Sequence, residues 1–301
     1  MKVINGIDGL RIETPAAVTI GKFDGMHLGH RKLFSRVAAQ KALGLTAVVF
    51  SLDMGRFLHE KPLTPFEEKK EILESMGVDI LVNCSFTDQI REMSAERFEQ
   101  EIMKERLNAA YVALGGDFHY GFRRSGDSET LAAAARRMGM TAEILEKEKY
   151  RGEEISSSAM RAALLRGDME TFTGMKGSPF SVNEIVVHGR HLGKSIGFPT
   201  INQPADESCE LPPRGVYATR VEFDGRRLRG LTNLGVKPTV GEGNRAGFET
   251  TIEGIDENLY GKRIRVSLIA FVRGERKFDS LEELTAQIKR DRQAAAKIGV
   301  M

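Results

Sequence analysis

The sequence predicts an α/β domain followed by a β domain, and three observations carry that reading. Apolar runs in the first half alternate with amphipathic helical patterns, whereas beyond about residue 175 such runs follow one another with turns and little helix between them. The chain has 301 residues, more than one hydrophobic core usually serves. Repeated strand, helix, strand implies a parallel sheet with helices on both faces, which binds ligands beyond the carboxyl ends of its strands. Strands in series imply an antiparallel barrel or sandwich.

In the first half, AAVTI (16–20), AVVFSL (47–52), DILVNCSF (79–86) and YVALGG (111–116) read as buried strands. A helix follows the first, starting near Gly29 or His30. The helix after the second opens with Thr64 as N-cap, Pro65 at the first helical position and Glu67 placed to complete a capping box. GMKGSPF (174–180), with two glycines and Pro179, reads as a linker and sets the domains at 1–175 and 176–301. Strands are then expected in SVNEIVVH (181–188), GVYATRVEF (215–223), LRGLTNLG (228–235), FETTIEG (248–254) and RIRVSLIAFVR (263–273). Asp224-Gly225 is a hairpin turn signal between two of them. A closing helix spans 280–298, with Ser280 and Glu283 spaced as a capping box.

Composition narrows the function classes. Lys and Arg number 44 against 42 Asp and Glu, and a net charge of only +2 argues against a dedicated nucleic-acid binder. The two cysteines, Cys84 and Cys209, fall in different domains and build neither a disulfide framework nor a four-ligand zinc site. They read as free thiols in a reducing compartment. The amino terminus lacks the apolar run of a signal peptide, and no apolar window long enough to span a bilayer follows, so a cytoplasmic protein with no membrane partner is expected. Oligomeric state is not fixed by the sequence.

The stretch GKFDGMHLGHRKLF (21–34) places two histidines, His27 and His30, at a helix entrance directly after a buried strand. Free backbone amides and the positive end of the helix dipole meet there, which makes an anion site. Gly25 and Gly29 admit a close backbone approach to a phosphate. Metal ligation would call for further Cys or His nearby, and this segment has none. Asp24 serves equally as a turn former. ISSSAMR (155–161) adds three hydroxyls before a short helix with Arg161 four residues after Ser157, a clamp suited to pyrophosphate, although a serine N-cap with a solvated arginine fits as well. In the second half, HGRHLGKSIGFPTIN (188–202) ends like a Walker A motif, but three residues, not four, separate Gly189 from Gly193. Its glycines still make a loop that wraps phosphates, with Lys194 beside them. Thr200 and Asn202 offer two hard oxygen ligands on one face of an extended segment, or form a plain turn after Pro199.

These segments resemble a known family. GKFDGMHLGH resembles the (H/T)xGH signature of the nucleotidylyltransferase superfamily, and ISSSAMR resembles its ISSTxxR element. The G-x-F-D-G-x-H-x-G-H form, together with GGDFHYGFRRSGD (115–127), is similar to the amino-terminal module of bacterial bifunctional riboflavin kinase/FMN adenylyltransferases, the FAD synthetases. GKSIGFPTIN is similar to the GRxLGFPTAN element of riboflavin kinases, followed in order by GVYA, NLGVKPT, LYG and RGERKFDSLEELTAQI.

The resemblance implies a Rossmann-like nucleotidylyltransferase domain followed by an antiparallel β-barrel riboflavin kinase domain with a C-terminal helix. It implies riboflavin, FMN and ATP as the molecules bound, with Mg2+ accompanying ATP and flavins as substrate and product. His27 and His30 would stabilise charge on the reacting phosphates, Ser157 and Arg161 would hold pyrophosphate, and Gly21 and Phe23 would join the glycines around ATP. Asp117 would lie near nucleotide and flavin, and Arg273 near flavin or nucleotide. Thr200 and Asn202 would bind magnesium and ATP, and Glu249 would be the base on the ribityl hydroxyl. The chain departs from the family where a Pro-His-Pro segment follows the second strand: SLDMGRFLHEKP stands there, and Ala159 replaces an arginine of ISSTRIR. The altered 51–62 segment motivates one alternative, a riboflavin kinase with an impaired adenylyltransferase domain; a second, from a different class, is a non-catalytic flavin- or nucleotide-binding regulator.

Overall fold

Neighbouring residues of the run AAVTIG feed different cores. Ala16, Val18 and Ile20 enter one apolar cluster and Ala17 another, as do Val48 and Phe50 against Val49 on the next strand. Strands covered on both faces need such continuous apolar runs, which is the signature of a buried parallel sheet. The computed structural model describes residues 1–189, 198–238, 244–255 and 257–299. It divides into two units, Met1–Ser157 and Ser158–Met301.

The first unit runs β1 (Lys2–Asn5), β2 (Ala16–Gly21), α1 (Leu28–Ala39), β3 (Thr46–Asp53), α2 (Phe66–Ser75), β4 (Ile80–Ser85), β5 (Ala109–Gly115), α3 (Ser128–Arg137) and β6 (Thr141–Leu145). Its sheet has the order β1-β4-β3-β2-β5-β6, and every pair is parallel. All four expected strands form. The outer strands β1 and β6 were not expected, because half-exposed edges carry no continuous apolar run. The capping box expected ahead of α2 does not form. Pro65 is the N-cap residue and makes no side-chain cap, while Thr64 is buried with its hydroxyl unpartnered among the described residues. Asp24 Oδ1 accepts the Leu63 backbone N–H at 2.7 Å, which ties this segment down toward the sheet rather than onto the helix end.

The second unit takes up the chain within α4 (Ser157–Leu165) and continues through α5 (Met169–Lys176), β7 (Phe180–Ile185), β8 (Thr200–Pro204), β9 (Gly215–Phe223), β10 (Arg226–Pro238), β11 (Asn244–Ile252), β12 (Arg263–Gly274) and α6 (Leu281–Ala296). The expected linker is helical through Lys176, because Phe172, Met175 and Lys176 are buried. The strands make one antiparallel sheet ordered β7-β12-β9-β10-β11-β8. A bridge from Val187 to Asn202 brings its two ends together and curls it toward a barrel. Asp224 and Gly225 form the two-residue turn between β9 and β10, both at positive φ (48° and 72°), as a type I′ hairpin requires. Ser280 caps α6 by accepting the Glu283 N–H, but the Glu283 carboxylate reaches back to the Asp279 N–H, so the box is displaced by one residue. Inside the sheet, Thr219, Thr232 and Thr250 form a fully buried hydroxyl ladder, with Thr232 Oγ1 3.0 Å from Thr219 Oγ1 and 2.8 Å from Thr250 Oγ1.

Candidate active sites

In the first unit the loop leaving β2 delivers His27 to the first turn of α1. His27 is the N-cap residue, and its Nδ1 accepts the His30 backbone N–H at 3.3 Å. An imidazole does here what Ser, Asp or Asn usually does. With Nδ1 accepting, the neutral ring carries its proton on Nε2, so the tautomer is fixed by the cap. The His30 ring stacks on it with centroids 3.5 Å apart, and Phe23 and Phe34 lie around His30 at 5.1 and 6.4 Å. Burial lowers the His27 pKa to about 4, against the opposing charge of Asp117. Burial, then His27 and Lys69, hold His30 well below its ordinary value. Both rings are neutral at pH 7. His30 Nδ1 is buried with no hydrogen-bond partner among the described residues.

The glycines of this loop serve reasons the sequence did not give. Gly25 sits at φ +84°, between Phe23 and Met26, which themselves adopt positive φ. A Cβ on Gly29 would lie 3.3 Å from the His27 ring, and one on Gly21 would lie 2.9 Å from the Phe23 ring. Phe23 is 1% exposed, so its ring supports His30 and only its backbone is available to a phosphate. Ser157 Oγ donates to the Asp24 carbonyl at 2.7 Å, which brings the ISSS segment onto the GKFDG loop. Arg161, one turn further along α4, is ion-paired with Glu210 at 2.9 Å. Asp117 is exposed and paired with Lys147 at 3.1 Å.

Sequence reasoning missed Lys69. It lies on α2, and its ammonium donates to Ser51 Oγ at 3.2 Å, at the carboxyl end of β3. The spacing held a signal: Lys69 precedes Leu73, which is fully buried, by four residues and so shares the helix face turned to the sheet.

In the second unit, alternation along β8 and pairing across the sheet assemble one polar face. Asn202 is directly opposite Glu249 on β11, and Glu249 opposite Asn233 on β10. Opposed residues in an antiparallel pair project to the same side, so Thr200, Asn202, Glu249 and Asn233 line up together. Thr200 Oγ1 donates to Glu249 Oε1 at 2.8 Å, which leaves the lone pairs of the hydroxyl oxygen available to a cation. Asn233 was another omission; only the strand register reveals it. Gly189 lies hard against Asn202, since a Cβ there would be 2.2 Å from its Nδ2. A pocket of about 380 Å3 adjoins Thr200, with Val186, Ile201, Ile252 and Tyr260 among its apolar walls. Gly193 and Lys194 lie outside the described residues. Arg273 makes a bidentate pair with Asp291 of α6, at 3.0 and 2.7 Å.

Comparison with known proteins meets the two units in turn. A family model described as FAD synthetase matches residues 10–159, and one described as riboflavin kinase matches 176–299. The bifunctional riboflavin kinase/FMN adenylyltransferase of Bacillus subtilis (strain 168) is 34% identical over 295 residues, covering 94% of this chain and 92% of that protein. The protein of the same description from Escherichia coli (strain K12) is 34% identical over 302 residues, covering 97% and 96%. A crystal structure described as a macrolide-efflux protein from Streptococcus pneumoniae superposes with a TM-score of 0.84 at 26% identity, over 99% of this chain and 100% of that one. Among the described residues no helix is long and apolar enough to cross a membrane.

Proposed function

We propose, for a chain that belongs to the bifunctional riboflavin kinase/FMN adenylyltransferase family, that the two polar constellations divide two transfers between them. The protein phosphorylates riboflavin to FMN with ATP and adenylylates FMN to FAD with a second ATP, releasing pyrophosphate. The observation that carries the reading is the shared face of Thr200, Asn202 and Glu249, since a carboxylate beside two hard oxygen ligands is what hydroxyl phosphorylation needs.

In the kinase step Glu249 takes the proton of the ribityl 5′-hydroxyl as its oxygen bonds to the γ-phosphorus, and the bond from that phosphorus to the bridging oxygen breaks to release ADP. Thr200, donating to Glu249, holds the carboxylate in place. Thr200 and Asn202 would hold the magnesium that accompanies ATP, which when bound supplies positive charge to the phosphates. Their hard, neutral oxygens suit that ion. Gly189, hard against Asn202, is assigned to the ATP phosphates, as Gly193 and Lys194 are on sequence alone, and the pocket beside Thr200 suits an apolar ring system such as the purine. Arg273 is assigned to the flavin side with less freedom, given its pair with Asp291.

In the adenylyl step a phosphate oxygen of FMN bonds to the α-phosphorus of ATP and the pyrophosphate departs with the bridging oxygen. No covalent nucleophile is required; positioning and charge stabilisation carry the rate. His27 presents Nε2–H to the phosphates, and the amides at the start of α1, with Gly21, Gly25, Gly29 and the Phe23 backbone, line the same place. Ser157 and Arg161 hold the leaving pyrophosphate, and Asp117 sits toward the nucleotide and flavin. The two buried cysteines, neither in a disulfide, support a reducing, cytoplasmic setting.

Riboflavin and MgATP incubated with the purified protein should yield FMN and then FAD, resolved by chromatography. FMN alone would favour a kinase whose altered 51–62 segment has cost it adenylyl transfer. Neither product would remove both transfers.

A further inference from the structure

The first unit's site contains more unmet polar capacity than the histidine pair explains. His30 Nδ1 and Thr64 Oγ1 are both buried without a hydrogen-bond partner among the described residues. Buried polar atoms are rarely left so, and each is a candidate for completion by a ligand. The segment ahead of Thr64 is fastened to Asp24, and Ser51 pairs in register with Gly21 at the carboxyl ends of β3 and β2. Lys69 joins this cluster through its bond to Ser51, and its charge reaches His30. An ammonium has three protons to donate; among the described residues Lys69 makes one hydrogen bond and no ion pair within 4 Å.

Charge makes the deficit sharper. ATP brings several negative charges to a place where both imidazoles are neutral, so they can donate hydrogen bonds but neutralise nothing until a ligand raises their pKa values. Lys22 is engaged by Glu60 at 3.0 Å. Burial lowers the pKa of Lys69, Asp24 and Asp53 oppose that shift, and Lys22 reinforces it. A cation set among these groups, without an anion in contact among the described residues, is poised for one.

We propose that Lys69 is a catalytic residue of adenylyl transfer, its ammonium contacting the ATP phosphates above His27 and His30 and taking up charge as the bond between the α-phosphorus and the leaving pyrophosphate breaks. The proposal rests on the adenylyltransferase reading of this unit and adds a substrate-touching group to it. Its place is the second helix, outside the histidine loop and the serine segment.

The test uses the full-length protein and follows FMN formation from riboflavin and FAD formation from FMN separately. Lys69→Met removes the charge at nearly constant volume. FAD formation should fall about 100-fold in kcat/KM for ATP, the loss typical of one electrostatic contact to a reacting phosphate or oxyanion. Inhibition by inorganic tripolyphosphate should weaken at least about tenfold, with FMN formation unchanged. Lys69→Arg should recover most of the rate and move the alkaline limb of the FAD-forming pH profile upward, a shift that a purely structural lysine would not produce. K69M retaining ATP usage and tripolyphosphate inhibition within about twofold of wild type overturns the proposal, as does K69R with an unmoved alkaline limb; the latter decides the matter should K69M fail to fold. A wild-type protein that makes no FAD removes the adenylyltransferase reading itself, a different failure from a wild type and a K69M variant that make it equally well.

Discussion

Gly189→Ala puts the geometry of the kinase site to a direct test. The new Cβ would lie 2.2 Å from Asn202 Nδ2, 2.6 Å from its Cγ and 2.8 Å from its Oδ1. Carbon in favourable contact sits at about 3.5–4.0 Å, so the Asn202 amide must retreat by more than about 1 Å. The backbone gives it little room: Asn202 is 5% exposed, paired to β11 on one side and bridged to Val187 on the other. Overpacking of this kind costs about 1–3 kcal/mol. A misplacement of about 1 Å in a positioning group costs about 100-fold in rate. The assay is the same pair of reactions on one sample: FMN formation should fall about 100-fold while FAD formation from supplied FMN stays at the wild-type rate. Wild-type FMN formation in a variant of unchanged Tm would refute the placement of Asn202 in the kinase site.

Glu249→Gln removes the proposed base while retaining an acceptor for Thr200, and FMN formation should drop about 10²- to 10⁴-fold with FAD formation spared; loss of both activities together would count against the division of labour. For His27, the folded pKa of about 4 lies below the ordinary 6.5, so the unfolded chain binds more protons between those values. Stability is therefore fully present above pH 6.5 and declines as pH falls toward 4, by up to about 3 kcal/mol. Denaturant midpoints against pH should show this slope, and His27→Asn, which keeps a good helix cap, should flatten it. Asp291→Asn strips the bidentate partner from Arg273 and should lower the stability of the second unit by about 3 kcal/mol, read as a calorimetric shift. Asp24→Ala leaves the Leu63 N–H unsatisfied, at about 1–3 kcal/mol, and should slow FAD formation without touching FMN formation.

What was legible in the sequence followed local periodicity. The runs at 16–20, 47–52, 79–86 and 111–116 are central strands of the parallel sheet, and GVYATRVEF is a strand over its whole length. The place of the histidine pair at a helix entrance was legible too, because a strand end, two glycines and a helix start occupy contiguous residues. What the sequence hid depends on pairing between distant segments. Asn233 lines up with Glu249 only through the register of β10 on β11, and Thr64 fails as a cap only because Asp24, 39 residues away from Leu63, holds the chain elsewhere. Phe23 reads as a phosphate-loop residue by its neighbours, yet its positive φ turns the ring into the core beneath His30.

The hydroxyl ladder of Thr219, Thr232 and Thr250 lies on the opposite side of the sheet from Glu249 and Asn233, yet it governs their direction. Thr250 follows Glu249 and Thr232 precedes Asn233, so fastening the hydroxyls to one side obliges Glu249 and Asn233 to point to the other. A slip of one position would exchange the two sets, burying a carboxylate and exposing three threonines. Redesign of the flavin-phosphorylating face therefore has an unexpected boundary: substitutions on the visible side are free to vary chemistry, whereas exchanging the hidden threonines for valines would loosen the alignment on which that chemistry is mounted.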